Sequence, residues 1–352
     1  MISTSDEHLP EQVDYEQDES GDLYEHFRIV ADKGQTLLRV DKFLMNRLEN
    51  ISRNKIQQAA KAGNIHVNNL VVKSNYKVKP GDVVAVVLSY PPRDVDIIPQ
   101  QIALEIVYED EQLIIVNKQP NLVVHPGHGN YSGTLLNALA FHFQHTNQKI
   151  ENGFGYLVHR IDKDTTGLLL IAKDELSQQR LALQFFEHTI VRRYQALVWG
   201  DPKQDSGTIS GHIGRSQKDR KVMTVYAQGD HGKEATTHYR VLERFGYISL
   251  VECMLETGRT HQIRAHFQYH GHPVFNDPWY GGNVILKGTT FSKYKQFVEN
   301  CFKALPRHAL HAVSLGFKHP KTGKEIYYES ELPQDMQFVI DKWRTYVSSR
   351  QE

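Results

Sequence analysis

The sequence predicts an α+β fold in two units, a small basic one near the N-terminus and a larger one built on a mixed sheet. Three observations carry this. At 352 residues the chain is well over the ~150 typical of one domain, which leaves room for a second unit of 200 or more residues. A stretch at 89–101, with Pro91, Pro92 and Pro99, reads as a semi-rigid linker between two patterned regions. Beyond it, strand-like and helical runs alternate, and a long strand-rich middle from Arg193 to Glu256 favours a mixed sheet over an all-parallel one.

Hydrophobic residues make up 40% and charged residues 23%, so a disordered or fibrous chain is excluded and a sizeable core is expected. Forty-one basic side chains balance 41 acidic ones, but they are unevenly placed. Residues 1–30 hold nine acidic and one basic, a surplus of −8, and read as an acidic, disordered tail. Residues 37–88 hold nine basic and three acidic, a surplus of +6. Apolar runs such as Val83 to Leu88 are far short of the roughly 18 residues of a membrane span. No secretory signal is visible, and two cysteines, Cys253 and Cys301, are too few for a disulfide framework or a cysteine zinc site. The expectation is a cytoplasmic protein away from membranes.

The elements of the small unit follow in order. Leu37, Val40, Leu44 and Leu48 recur at helical spacing, with Arg39, Lys42 and Arg47 largely outside that stripe. Ser52 is placed to cap a second helix carrying Arg53, Lys55, Ile56 and Ala59 and ending at Gly63. Ile65 to Asn68 and Leu70 to Lys73 then suggest a hairpin through Asn68 and Asn69, and Pro80-Gly81 turns into Val83 to Leu88. Two basic helices followed by compact β structure suit docking on phosphates, although a solvated basic face would look the same. The stretch LRVDKFLMNRLENISRNKIQQAAKAGNIHVNN resembles the S4 RNA-binding domain over residues 37–88, and the resemblance implies that Arg39, Lys42, Arg53 and Lys55 face RNA.

In the larger unit, from 102 to 345, strands are expected at Leu113 to Val116, Leu168 to Ala172, Tyr194 to Val198 and Ile248 to Met254, and a helix over Glu175 to His188. Several familiar sites are excluded. Gly127 to Thr134 lacks the lysine spacing of a phosphate-binding loop. Gly211-His212-Ile213-Gly214 is followed by Arg215 and no nucleotide-binding start precedes it. His261, His266, His270 and His272 have no acidic ligand among them and no His-Glu-x-x-His, so no metal is expected.

Three segments combine polar residues with apolar flanks in a way a plain core does not need. In the first, Leu157 to Lys173, Asp162 sits in a charged loop entering a buried-looking strand; flanked by Arg160 and Lys163 it should stay ionised and could act as nucleophile or proton shuttle. An ion pair at a turn would use the same residues. In the second, Tyr194 opens a strand behind Arg192 and Arg193 and offers an aromatic face for a base, or simply fills a half-buried position. In the third, Arg264 projects from the first turns of a helix whose buried side is Ile263 and Phe267.

Together HRIDKDTTGLLLIAK, VRRYQALVWG and TGRTHQIRAHF resemble the three motifs of the pseudouridine synthases of the RluA type, with Thr166 where serine is common. VVHPGHGNYSGTLLNAL is similar to the RluD sub-family, which acts on large-subunit ribosomal RNA and also carries an N-terminal S4 domain. In His272-Pro-Val-Phe-Asn-Asp-Pro278, Asn276 stands where glycine is frequent. The resemblance implies an α+β S4 domain followed by a mixed-sheet catalytic domain, with Asp162 as the essential aspartate. It further implies that Tyr194 stacks under the uracil, Arg264 pairs with the aspartate, and Arg160 enters the helix where the uridine has left. Isomerisation keeps every atom of the base, so no cofactor is expected. The implied partner is ribosomal RNA or a pre-ribosomal particle, and a monomer is expected. The alternative is a non-catalytic RNA-binding ribosome-assembly factor.

Overall fold

The computed structural model describes residues 24–48, 51–88, 97–126, 130, 132–146, 148–219 and 222–351. The first unit runs β1 (Tyr24–Val30), β2 (Leu38–Arg39), α1 (Val40–Met45), α2 (Arg53–Lys61), β3 (Ile65–Val67), β4 (Leu70–Val71), β5 (Lys77–Val78) and β6 (Val83–Leu88). Its sheet has the order β1-β6-β3-β4, with β2 and β5 paired apart, and its own core holds Val40, Phe43, Leu44, Ile56, Ile65 and Val84. Ser52 Oγ accepts from the Lys55 N–H at 3.3 Å and caps α2 as the sequence predicts. Asn68 and Asn69 both take positive φ, 51° and 67°, the geometry that joins β3 to β4 in a two-residue hairpin.

Two expectations for this unit need correction. Segment 1–30 is expected to be an unstructured acidic tail; residues 1–23 lie outside the described residues, but Tyr24–Val30 is a strand lying antiparallel along β6. Phe27 and Ile29 alternate with Arg28, a period-2 pattern too short to stand out beside so many carboxylates. The first helix is also shorter than the Leu37–Leu48 stripe. Leu37 is exposed, and Leu38-Arg39 pairs with Lys77-Val78 before the helix begins at Val40.

The larger unit continues with β7 (Glu105–Glu109), β8 (Leu113–Lys118), α3 (Leu135–His145), β9 (Tyr156–Leu157), β10 (Thr166–Ala172), α4 (Glu175–Phe186), β11 (Val191–Trp199) and β12 (Ser206–Arg215). It ends with β13 (Met223–Tyr226), β14 (Lys233–Arg244), β15 (Ile248–Leu255), α5 (Gln262–Tyr269), α6 (Ser292–Ala304), β16 (Leu310–Lys318), β17 (Glu325–Glu329) and α7 (Gln334–Gln351). Strands follow the order β13-β12-β14-β15-β11-β16-β10-β8-β7, with β17 beside β16 and β9 beside β10. The sheet is mixed because β10 and β16 run parallel while the neighbours pair antiparallel. Helices α5, α6 and α7, with the segment between α5 and α6, cover it with an aromatic layer that includes Phe267, Phe275, Phe297 and Trp343. Among the described residues no helix is long and apolar enough to cross a membrane.

The parallel pair places the site. Every residue of β10 is buried, and each buried leucine there contributes about 2 kcal/mol. Gly167 has φ +112°, and a Cβ on it would collide with the backbone of Ala312 on β16. The glycine that closes the charged loop is therefore what lets the two strands meet, and it brings the loop before β10 against the loop before β16.

Candidate active site

Asp162 lies in the loop entering β10, and that loop is held from two sides. Its own turn closes by the Thr165 N–H donating to the Asp162 carbonyl at 3.1 Å. From the β16 side, Thr165 Oγ1 meets His308 Nε2 at 2.8 Å, and Arg307 donates to the Asp164 carbonyl at 3.2 Å while pairing with both oxygens of Asp335. From the β8 side, the buried Lys118 ammonium donates to the carbonyls of Lys163, Gln119 and Leu122 at 2.8, 2.9 and 2.9 Å. Burial pulls the Lys118 pKa down to about 7, against the charges of Asp164 and Asp162.

The Asp162 carboxylate takes a 2.9 Å hydrogen bond from Arg264 Nη1. Arg264 comes from the first turn of α5 and is itself fixed by a fork onto Asp277, Nε to Oδ2 at 2.7 Å and Nη2 to Oδ1 at 3.0 Å. Asp277 is fully buried, its Oδ1 also accepting from the backbone of Trp279 and Tyr280, and the guanidinium lies 5.0 Å from the Tyr280 ring centre. Burial would raise the Asp162 pKa, but His261, Arg264 and His308 outweigh it and hold the carboxyl well below its usual range, the two imidazoles counting as charges only in the acid where they are protonated. Burial also keeps His261 neutral at pH 7, with a pKa of about 4, so Arg264 is the standing cation.

His261 sets a further contact. It is held at φ 53° just ahead of α5, between Trp279 and Tyr280, and its Nε2 is 3.9 Å from Asp162 Oδ2. The Met223 N–H donates to the Tyr280 hydroxyl, and that hydroxyl also meets His261 Nδ1 at 3.0 Å. With the hydroxyl as donor to Nδ1, the ring proton sits on Nε2, facing the carboxylate.

Tyr194 and Arg160 share a cavity of about 610 Å³ with Asp162 and Arg264. Tyr194 is buried on β11, opposite an irregularity in β16, where Val313 is the extra residue between the partners of Arg193 and Tyr194. Burial raises its pKa against the Arg192 charge, and the Asp162 charge adds to the rise. Arg160 donates from Nη1 to His125 Nε2 at 3.4 Å, while His125 donates from Nδ1 to the Pro126 carbonyl. The opposite wall is the small unit, with Lys55, Ile56, Gly63 and His66 lining the same cavity.

The four residues expected to face RNA are differently placed. Arg39 and Arg53 both bond the fully buried Asp41, at 3.0 to 3.1 Å, with Gln57 completing the set. Burial would raise the Asp41 pKa, yet these bonds bring it to about 2. The two arginine side chains stay 40% and 42% exposed, so neither is used up by Asp41. Lys55 pairs with Glu175 on α4 at 2.6 Å, and Lys42 is exposed.

The RNA pseudouridylate synthase family matches residues 112–269, and the S4 domain family matches residues 38–84. Over 322 residues the chain is 42% identical to an uncharacterized RNA pseudouridine synthase of Chlorobaculum parvum, covering 91% of this chain and 98% of that one. The chain belongs to the RNA pseudouridine synthase family. A second relative, the ribosomal large subunit pseudouridine synthase D of Zymomonas mobilis, is 40% identical over 308 residues, covering 86% of this chain and 92% of that one. Human RNA Pseudouridylate Synthase Domain Containing 4 shares the fold, with a TM-score of 0.53 at 23% identity over 68% of this chain and 93% of that one. The synthase is thus an isomerase of uridine, and RNA is its partner.

Sequence reasoning brought Asp162, Tyr194, Arg264 and Arg160 forward, and all four line one cavity. It missed Asp277, His125 and Lys118, and it weighed His261 only as a metal ligand. The available signal was Asp277 itself, a lone acid between Asn276 and Pro278 in an otherwise apolar stretch. Asn276 has φ 56°, a conformation that suits glycine and that asparagine tolerates, and its side chain donates to the carbonyls of Phe302 and Leu305.

Proposed function

We propose that the synthase converts specific uridines of large-subunit ribosomal RNA to pseudouridine, with Asp162 as the catalytic carboxylate. The observation that carries this reading is an ionised aspartate, pinned by a doubly anchored arginine, on the wall of a cavity that also holds a buried tyrosine. The reaction breaks the C1′–N1 bond, turns the uracil and forms a C1′–C5 bond; the C5 proton leaves and N1 gains one, so the base keeps its composition. Asp162 is available as nucleophile toward C1′ or as proton carrier. Tyr194 supports the uracil face, Arg264 holds the carboxylate, and Arg160 fills the gap left in the RNA. The small unit, residues 37–88, docks RNA through Lys42 and the exposed parts of Arg39 and Arg53, with Lys55 lining the cavity. The large subunit as target is supported by the names of relatives such as the Zymomonas mobilis enzyme. The test is to incubate purified protein with unmodified large-subunit rRNA and map pseudouridine chemically. Discrete new sites are expected; no product would leave a non-catalytic assembly factor.

Arg160→Lys separates two roles for that residue. An electrostatic role tolerates lysine, whereas stacking into the vacated space needs the flat guanidinium. Unstacking a paired uridine costs a few kcal/mol, so a loss of about 10–100-fold is expected on folded RNA, with most activity kept on a short unstructured strand. Equal losses on both substrates would assign Arg160 to electrostatics alone.

A further inference from the structure

Burying a cation is costly unless the fold supplies a partner, and this chain meets that cost at nearly every buried basic side chain near the site. Arg264 has Asp277 and Asp162, Arg307 has Asp335, Lys173 has Glu109, and Lys118 has three carbonyls. Arg192 differs. It is 8% exposed, its Nε has no hydrogen-bond partner, and among the described residues no carboxylate lies within ion-pair distance of it.

Its guanidinium is nonetheless held in place. One contact is the Phe185 ring, 5.2 Å from the guanidinium carbon to the ring centre, and Phe185 is in turn stacked on His159. On another side lies Gly258, where an added Cβ would come within 2.8 Å of Arg192 Nη1, so a side chain there would push the guanidinium from this position. Gly258 has an ordinary φ, so its effect is the room it leaves and not backbone conformation. Arg192 lines the same cavity as Asp162 and Tyr194. Both Arg192 and Tyr194 are buried on one face of β11, two residues and so about 7 Å apart along the strand. A nucleotide whose base lies on Tyr194 carries its phosphates at that kind of distance.

We propose that Arg192 is the anchor for an RNA phosphodiester at or next to the target uridine, its charge left without an internal counter-ion so that RNA supplies one. A planar guanidinium lining a cavity can present paired donors to two phosphate oxygens. This rests on the reading of Asp162 and Tyr194 as the reacting centre, which fixes where the uridine sits.

The test compares full-length wild type with Arg192→Gln and Arg192→Lys, reading binding to unmodified large-subunit rRNA across a salt series and thermal unfolding without RNA. For Arg192→Gln, affinity should fall about 10-fold and the plot of log affinity against log salt should flatten by about 0.7–0.9 unit, the share of one phosphate. Unfolding without RNA should be unchanged or shift upward, because an uncompensated charge has been removed. Arg192→Lys should keep the slope and lose part of the affinity. An unchanged slope and affinity would overturn the proposal, and so would a variant that unfolds early or fails to fold, since that makes Arg192 a packing residue. These readouts are independent of turnover. Absence of pseudouridine in the wild-type reaction would sink the catalytic reading while the salt slope still judged Arg192.

Discussion

Replacing Asp162 by asparagine is expected to lower pseudouridine formation by about 10⁴-fold or more while leaving the fold and RNA affinity in place. The change removes one charge and almost no volume. Arg264 keeps its fork on Asp277, so no buried cation is orphaned, and none of the basic side chains lining the cavity is altered. A stability cost of about 1–3 kcal/mol at pH 7 is expected, the worth of one hydrogen bond to a charged group. Its sign with pH follows from the depressed carboxyl pKa: the stabilisation is complete above the ordinary aspartate range and is lost only as pH falls through the lowered value. The cost of the substitution should therefore shrink in acid. Chemical mapping of product and a binding isotherm measure the two halves, and turnover within tenfold of wild type would remove Asp162 from the chemistry.

What the sequence makes legible here depends on how locally each feature is determined. The Ser52 cap, the Asn68-Asn69 hairpin and the run of β10 are set by neighbouring residues, and all are found where the pattern predicts them. Asp162 and Arg264 are 102 positions apart, and only their resemblance to family motifs, not any local pattern, links them in the sequence as the 2.9 Å contact links them in the fold. Asp277 escaped because its role comes from tertiary contact alone: nothing near it in sequence says that a buried guanidinium waits opposite. The basic face is only partly legible in sequence for a related reason. Arg39 and Arg53 count as surplus charge in a composition sum, yet they converge on Asp41, two positions beyond the first and twelve before the second. β1 was hidden by composition, since a seven-residue strand next to an acid-rich segment is diluted by any average taken across both.

Asp277→Asn is expected to be the most destabilising single substitution at this site, by about 3–5 kcal/mol, because it breaks a buried pair and leaves Arg264 with one carboxylate where it had two. The side chain amide makes this worse. If Oδ1 keeps its bonds from the Trp279 and Tyr280 backbone, the new NH₂ faces the Arg264 Nε–H, donor against donor. Urea unfolding should show the midpoint shifted with the slope unchanged, which marks a loss of stability and not a change in the unfolded chain. Activity measured well below the unfolding range should also fall, since Asp277 orients Arg264 and Arg264 orients Asp162. A loss of activity could, however, come from instability alone, and the double substitution Arg264→Met with Asp277→Leu separates the two causes. Removing both buried charges together should recover more than half of the lost stability, as apolar replacement of buried ion pairs does. It should recover no turnover, because Asp162 then has no arginine. A double variant as inactive as Asp277→Asn yet clearly more stable would place the pair in the chemistry; one that regained activity along with stability would make it a structural clamp and nothing more.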